Sequence, residues 1–424
     1  MVSSTSFLAC IVLFVGSCGE NIIRMPISRI LITGKPAELL MVTPLKVDGQ
    51  DMYAQVDTGS SHTQLVWRNW YESVSPKGCG DLFYKCYDCV STECHKGPTT
   101  TRIHYVDGST LTVFPHFGDF YFDGATAIAM KFGLVTGASR GPWAAIGLGS
   151  RSVKPPYKRF VDQLRSQHLI DSGVFSLYLS SGRAPSGELI IGGDDPSKYV
   201  GHLEYFGITD KGRQKNTLRS FNIGGKVHRE VQPVLLDTGT SVINFPERLR
   251  AGVMSLLQTT GTTEVDIVKV GNIYIVDCDD KDHLPTMRFI MQGLVGKYDV
   301  TIAVPCAAYV IEILPGTCHV SIDFGGDWIM GLPAFLGNYY SVDYVGAKIG
   351  VAKAQSLSLS LRPLDRSPEE LVTLYLREVW RFVIEHISAR LVSALEVALH
   401  PSCMESFLQQ NLLQLCVELV MLDD

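Results

Sequence analysis

The chain has little charge for its size and no surplus of base. Lys and Arg number 37 against 43 Asp and Glu in 424 residues, a formal net charge of −6. Without a basic surplus there is no electrostatic footprint for nucleic acid, and no such partner is expected. With 19% charged and 46% hydrophobic residues the chain is also too apolar for disorder, and it is too long for one small core, so two or three domains are the prior. The apolar run near the start, 7–15, falls short of the roughly 20 residues that a bilayer span needs.

That run is followed by the small residues Gly16, Ser17 and Cys18, so 1–19 has the build of a secretory signal peptide, although no Lys or Arg precedes the run. A membrane anchor is the competing reading, against which the length counts, and acylation at Cys18 is a minor alternative. Setting Cys10 and Cys18 aside leaves nine cysteines, at 79, 86, 89, 94, 278, 306, 318, 403 and 416. Behind a signal peptide these read first as disulfides. The number is odd, so at least one thiol is free or pairs with another chain. The expected location is outside the cell or in an endolysosomal or vacuolar compartment, reached through the secretory pathway.

Helical signals are scarce over 37–353, where short runs rich in Val, Ile, Tyr, Phe and Thr are broken by Gly, Pro, Asp and Asn, as at 175–179 and 188–191. That is all-β punctuation. Only 157–168 and 246–257 carry apolar residues at helical spacing. After Ala354 the texture changes. Ser367-Pro368-Glu369-Glu370 has an N-cap Ser, Pro at the first helical position and Glu at the third, and apolar residues recur at three and four through 371–399. Pro401 ends that helix and 403–422 reads as another. Arg377, Arg381, Glu385, His386 and Arg390 interrupt the tail too often for a bilayer span, which favours docking or self-packing over membrane association.

The most informative feature is a repeat: Val56-Asp57-Thr58-Gly59-Ser60-Ser61 and Leu236-Asp237-Thr238-Gly239-Thr240-Ser241, 180 residues apart. One Asp-Thr-Gly alone most often marks a turn. Twice, at one domain's spacing and with the same flanks, it points to a duplication. Ala145-Ile146-Gly147 and Ile329-Met330-Gly331 echo each other downstream of the two copies. The simplest account is two homologous lobes, 37–205 and 206–355, each giving one Asp to a cleft between them.

Amide hydrolysis by an activated water needs a base for the water and an acid for the carbonyl oxygen. Two adjacent carboxylates supply both, because held close together they cannot both ionise and so share a proton. Each Gly lets its turn bend tightly and its N–H approach the carboxylate. The Ser60 and Thr240 hydroxyls are expected to donate to the outer carboxylate oxygens, and Thr58 and Thr238 to tie one loop to the other.

With these residues in view the sequence resembles a pepsin-like, eukaryotic (family A1) aspartic peptidase, over about 37–354. Tyr105-Val106-Asp107-Gly108-Ser109 is similar to that family's flap hairpin. Phe175-Ser-Leu-Tyr-Leu179, Gly187-Glu-Leu-Ile-Ile-Gly-Gly193, and Trp328-Ile-Met-Gly331 with Asn338-Tyr-Tyr340 are similar to further signatures. The resemblance implies an all-β fold of two pepsin-like lobes around a cleft, followed here by an α-helical extension at 356–424. It implies catalysis by Asp57 and Asp237, a flap tyrosine at Tyr105 with Asp107 and Gly108 beside it, and backbone binding of substrate by Gly59, Gly239 and Thr240. Polypeptide substrates, no cofactor and no metal go with it. Cys278 and Cys318 resemble the family's C-terminal disulfide, and Cys79, Cys86, Cys89 and Cys94 sit where the N-terminal lobe carries its own, enlarged here. The Cys-x-x-Cys within that cluster also fits a zinc site, the lesser reading in a secreted chain.

Several positions depart from the pattern. The Trp that bonds the flap tyrosine in the family stands a short step after the first motif, whereas Trp67 lies farther on. Val106 replaces a Gly, and Gly331-Leu332 replaces Gly-Asp. The stretch 20–36, with Ile23-Arg24-Met25-Pro26-Ile27, resembles a shortened prosegment, and His62 reads as a surface loop residue rather than a base. The expected function is an endopeptidase acting at acidic pH; the alternative is a catalytically impaired binding or inhibitor protein on the same fold.

Overall fold

The computed structural model describes residues 21–355 except 33–38, 90–93, 95, 98, 151–156, 182–184, 211–213, 260–262 and 295–296. The expected signal segment 1–19 and helical tail 356–424 lie outside the described residues. Within them the chain is mostly β. Twenty strands join in one hydrogen-bonded network, and Val268–Val270, Ile273–Asp277, Val310–Leu314 and Thr317–Val320 form a separate four-stranded sheet.

The first strands in chain order are β1 Ile23–Leu31, β2 Leu39–Val47, β3 Gln50–Asp57, β4 Gln64–Val66, β5 Thr101–His104, β6 Thr110–Phe122, β7 Ala125–Ala138 and β8 Ala145–Gly147. They continue with β9 Phe175–Leu179, β10 Ser186–Ile191, β11 Tyr199–Asp210, β12 Lys215–Ile223, β13 Lys226–Leu236 and β14 Ile243–Pro246. Two-residue turns set the registers. Val47 pairs Gln50 across Asp48-Gly49, and Ile223 pairs Lys226 across Gly224-Gly225. All four turn residues have positive φ, the mirror-image geometry whose twist matches the strands it joins.

The sequence repeat has a structural counterpart. β3, which ends on Asp57, runs parallel to β8, with Val56 opposite Ile146 and Asp57 opposite Gly147. β13, which ends one residue before Asp237, runs parallel to Ile329–Met330, with Leu236 opposite Met330. The strand after each motif again has a parallel neighbour: β4 beside β7, and β14 beside Ile322–Gly325. The echoed apolar pairs are therefore the strands that support the motif strands.

An antiparallel array joins the two ends of the described stretch: β1, β10, β9, Asn338–Asp343, Lys348–Ala354 and β11, in that order. The stretch set apart as prosegment-like thus contains a full strand of this array. Ile23, Met25 and Ile27 of β1 are buried, Ile23 lies opposite Ile191, and residues 28–31 go on to pair with β2. Arg24 on its outer face is held by Glu188 and Asp195 at 3.0 and 2.8 Å.

The core is aromatic in both halves. Phe120 meets Phe132 and Phe160 at 5.6 and 5.5 Å, Phe160 being the first residue of the helix Phe160–Ser166. Phe221, Phe245 and Trp328 meet at 5.3 to 6.0 Å in the other half. Such ring pairs add to the area each aromatic removes from water. The second expected helix falls at Arg250–Gln258, burying Val253, Leu256 and Leu257.

Among the described residues three disulfides form: Cys79 to Cys86, Cys89 to Cys94 and Cys278 to Cys318. All four cysteines of the N-terminal cluster are taken up in two local bridges, and Cys306 is free among the described residues. The Cys278–Cys318 bridge closes a span of 40 residues, against seven and five for the others. On chain entropy it contributes about 4 kcal/mol and each short bridge about 2 kcal/mol. Replacing Cys278 and Cys318 together by Ala is expected to lower unfolding stability in urea by about that larger amount, and by more than removal of either short bridge.

His319 lies buried in the smaller sheet, its Nδ1 3.1 Å from the Tyr274 carbonyl and its Nε2 without a partner. Burial lowers its pKa below the usual 6.5. A depressed histidine leaves stability intact above the unfolded value and costs stability as pH falls toward the folded one. Between pH 7 and 5, His319→Gln is expected to flatten the fall in denaturation midpoint relative to the parent protein.

Candidate active site

Asp57 closes β3 and Asp237 follows β13, so each carboxylate stands at the end of a strand fixed by a parallel neighbour. The Asp57 carbonyl accepts from Leu148 N at 2.8 Å, and Asp237 N donates to the Met330 carbonyl at 3.0 Å. The motif threonines then cross over. Thr58 N donates to Thr238 Oγ1 and Thr238 N to Thr58 Oγ1, both at 3.0 Å. Each hydroxyl passes its own hydrogen back, Thr58 to the Leu236 carbonyl at 3.1 Å and Thr238 to the Val56 carbonyl at 2.6 Å. The expected tie between the loops is present and fully reciprocal.

This brace brings the carboxyls of Asp57 and Asp237 within hydrogen-bond reach of each other, both buried. Gly59 N and Ser60 N donate to Asp57 Oδ1 at 2.9 and 3.0 Å; Gly239 N donates to Asp237 Oδ1 at 2.7 Å and Thr240 Oγ1 to Asp237 Oδ2 at 2.8 Å. The motif glycines have to be glycines, since a Cβ on Gly239 would lie 2.8 Å from Asp57 Oδ1 and one on Gly59 would overlap the Asp237 carboxyl. Burial raises the pKa of Asp57, and the neighbouring Asp237 charge raises it further. Burial also raises Asp237, held back by its donors Thr240 and Gly239. Two buried carboxyls at this distance hold one proton between them.

One expected contact is not made. The Ser60 hydroxyl does not reach Asp57; it lies 3.4 Å from His62 Nδ1 and accepts His62 N at 3.2 Å. His62 is therefore no surface residue but a half-buried ring beside the first motif. The reason is local: Ser60 and His62 stand two apart in the same tight turn, within reach of each other.

Tyr105 sits in the turn between β5 and β6, its N–H donating to the Ser109 carbonyl at 2.9 Å. Its hydroxyl accepts from Gln64 Nε2 at 3.2 Å and its ring packs on Trp143 at 4.8 Å. Burial raises its pKa, with the Asp57 charge next, which sets the phenol within electrostatic range of the dyad. Trp67 does not serve Tyr105. Its ring packs on Phe114 at 5.2 Å and its Nε1 is buried without a partner. Gln64, fully buried in β4, makes the tyrosine contact instead. Asp107 stays at the hairpin tip, capping it through Ser109 N at 2.9 Å and pairing with Arg140 at 2.9 Å, with Gly108 at φ +78° and Val106 exposed.

Gln64, Trp143 and Gln55, whose Nε2 reaches the Gly239 carbonyl at 3.1 Å, were not singled out in the sequence. The available signal was a lone amide in each of two apolar strand runs, Ala54-Gln55-Val56 and Gln64-Leu65-Val66.

A profile of the family described as eukaryotic aspartyl protease matches residues 46–354, which includes both motifs, the hairpin and their supporting strands. The chain belongs to the eukaryotic aspartyl protease family. It is accordingly a peptide hydrolase. Among curated relatives, an acid protease of Saccharomycopsis fibuligera is 28% identical over 72% of this chain and 78% of its own length. Secreted aspartic protease 6 of Candida albicans is 27% identical over 74% and 75%. Gastricsin of Macaca fuscata fuscata is 30% identical over 44% of this chain and 48% of its own, so that match spans about half of either protein.

In this aspartyl protease the threonine brace is also a folding element. Thr238→Val keeps the shape but strands the buried Thr58 N–H, a loss of about 1–3 kcal/mol. The expected result is that destabilisation in urea denaturation, with Thr58→Val/Thr238→Val costing less than the sum of the two single changes.

Proposed function

We propose that the chain is an endopeptidase in which Asp57 and Asp237 activate one water to hydrolyse a peptide bond. The observation that carries this reading is the pair of buried carboxyls held within hydrogen-bond reach by the crossed Thr58 and Thr238 bonds. The ionised carboxylate takes a proton from the water as its oxygen attacks the peptide carbonyl carbon. The protonated carboxyl gives its proton to the carbonyl oxygen. Collapse of the tetrahedral diol breaks the C–N bond, with a proton passing to the leaving nitrogen.

On this reading 37–205 and 206–355 are the two lobes and the substrate lies extended in the cleft between them. Tyr105 covers it from the β5–β6 hairpin, and Gly59, Gly239 and Thr240 offer backbone and hydroxyl groups to its main chain. The substrates are polypeptides. Burial and mutual repulsion keep one proton on the pair through the acidic range, so activity falls as that proton leaves on the alkaline side. Three disulfides and the sequence of 1–19 support a route through the secretory pathway. No described helix is long and apolar enough to cross a membrane.

The test is cleavage of a denatured protein between about pH 3 and 6. Asp57→Asn and Asp237→Asn are each expected to lower kcat/KM by about 10³-fold with folding retained, in line with loss of a general acid or base. Cleavage that survives either change would overturn the reading, and absence of cleavage by the parent protein would favour a binding role.

A further inference from the structure

The two carboxylates each receive two donors, but on different oxygens. Asp237 receives a backbone N–H on Oδ1 and the Thr240 hydroxyl on Oδ2. Asp57 receives two backbone N–H groups, both on Oδ1. By motif position Ser60 is the counterpart of Thr240, three residues after its aspartate, yet its hydroxyl faces His62 Nδ1.

The ring of His62 has little freedom to move away. It meets Tyr157 edge-on at 6.4 Å, and the Tyr157 hydroxyl is tied to the Thr63 carbonyl at 2.6 Å. The His62 backbone that carries the ring is itself packed against Gly147, where a Cβ would overlap it. The second motif has no such competitor: the residue five after Asp237 is Val242, which cannot accept a hydrogen bond through its side chain. From aspartate to fifth residue the loops differ at two equivalent positions, Ser60 against Thr240 and His62 against Val242; the first keeps a hydroxyl, and only the second adds or removes a hydrogen-bonding side chain.

We propose that His62 is a positioning residue of the dyad: it holds the Ser60 hydroxyl off Asp57, so that the shared proton rests on Asp57 and the negative charge on Asp237. This rests on the catalytic reading above and assigns its roles. Asp237 is the base that deprotonates the water, and Asp57 is the acid that protonates the carbonyl oxygen. A hydroxyl donor favours the charged form of the carboxylate that receives it. Both Asp237 oxygens accept a donor, whereas both donors to Asp57 fall on Oδ1 and leave Oδ2 as the place for the proton.

The remaining titratable groups near the site do not disturb this assignment. Tyr105 from the hairpin and Tyr344, whose ring lies under Arg159 at 5.7 Å, face the carboxylates, and Tyr157 faces His62. Burial raises all three phenols above their usual range, and it lowers the imidazole of His62. Burial works against the charged imidazole, and in the neutral ring an unprotonated Nδ1 can take the Ser60 hydrogen.

The experiment is the pH profile of kcat/KM for peptide cleavage by the full chain. In His62→Leu the Ser60 hydroxyl is released to Asp57, whose ionised form gains a donor. The alkaline limb is expected to move down by about one pH unit, the scale of one hydrogen bond to a charged group. His62→Leu/Ser60→Ala has no hydroxyl to release, and its limb is expected back at the parent position. A limb that stays put in His62→Leu, or that moves equally in the double variant, overturns the proposal. Should His62→Leu fail to fold, Ser60→Ala alone decides: the proposal expects the limb in place, and an upward shift of about one unit overturns it. If the parent protein cleaves nothing at any pH, the catalytic reading itself fails and the assignment goes with it; an active parent with the wrong limb shifts sinks the assignment alone.

Discussion

The crossed pair of hydrogen bonds between Thr58 and Thr238 is the constraint on which the site depends. Each threonine satisfies a buried backbone N–H of the other loop and returns its own hydrogen to the strand before that loop. Neither motif can shift without leaving a buried donor unpaired, which is a heavy cost in a dry interior. The proximity of two carboxyls, which makes ionisation of both unfavourable, is thereby imposed by neutral groups next to them in the chain. Gln55 adds a third tie on one side only, to the Gly239 carbonyl.

Much of this was legible in the sequence because it rests on local rules. The repeated motif, its spacing, the echoed strands 145–147 and 329–331 and the strands at 175–179 and 188–191 follow from residue type and order. The reciprocal threonine contact followed from the same symmetry. What was not legible depends on which side chains meet across the fold. Gln64 rather than Trp67 meets Tyr105, because strand pairing fixes Gln64 opposite Gly133 and turns Trp67 toward Phe114. The Ser60 hydroxyl lies beside His62 Nδ1 rather than Asp57, a placement that depends on a rotamer and not on spacing. β1 belongs to the sheet because Ile23 and Met25 find the apolar partners Ile191 and Leu189 more than 150 residues away, which no local pattern announces.

The hairpin that carries Tyr105 is docked rather than free. Its base is stitched to β7 through Thr110 and Ser139, its tip pairs Asp107 with Arg140, and its tyrosine packs on Trp143. The Asp107–Arg140 pair is exposed on both sides, so its contribution is small and screened by salt. Ring packing and the Gln64 bond carry more of the anchoring.

The antiparallel array that joins β1 to Lys348–Ala354 has a consequence for how the chain reaches its native state. Ile23 pairs Ile191 and Tyr199 pairs Ala354, so the array draws on nearly the whole described length. The paired motifs add a contact across 180 residues. Closing such loops costs entropy before any contact repays it, which makes folding slow and ties its completion to synthesis of the last strands. The same topology means that neither β1 nor Lys348–Ala354 can peel off without opening a sheet shared by both halves. Resistance of this core to proteolysis then lies in the rate of opening as much as in the depth of the energy minimum.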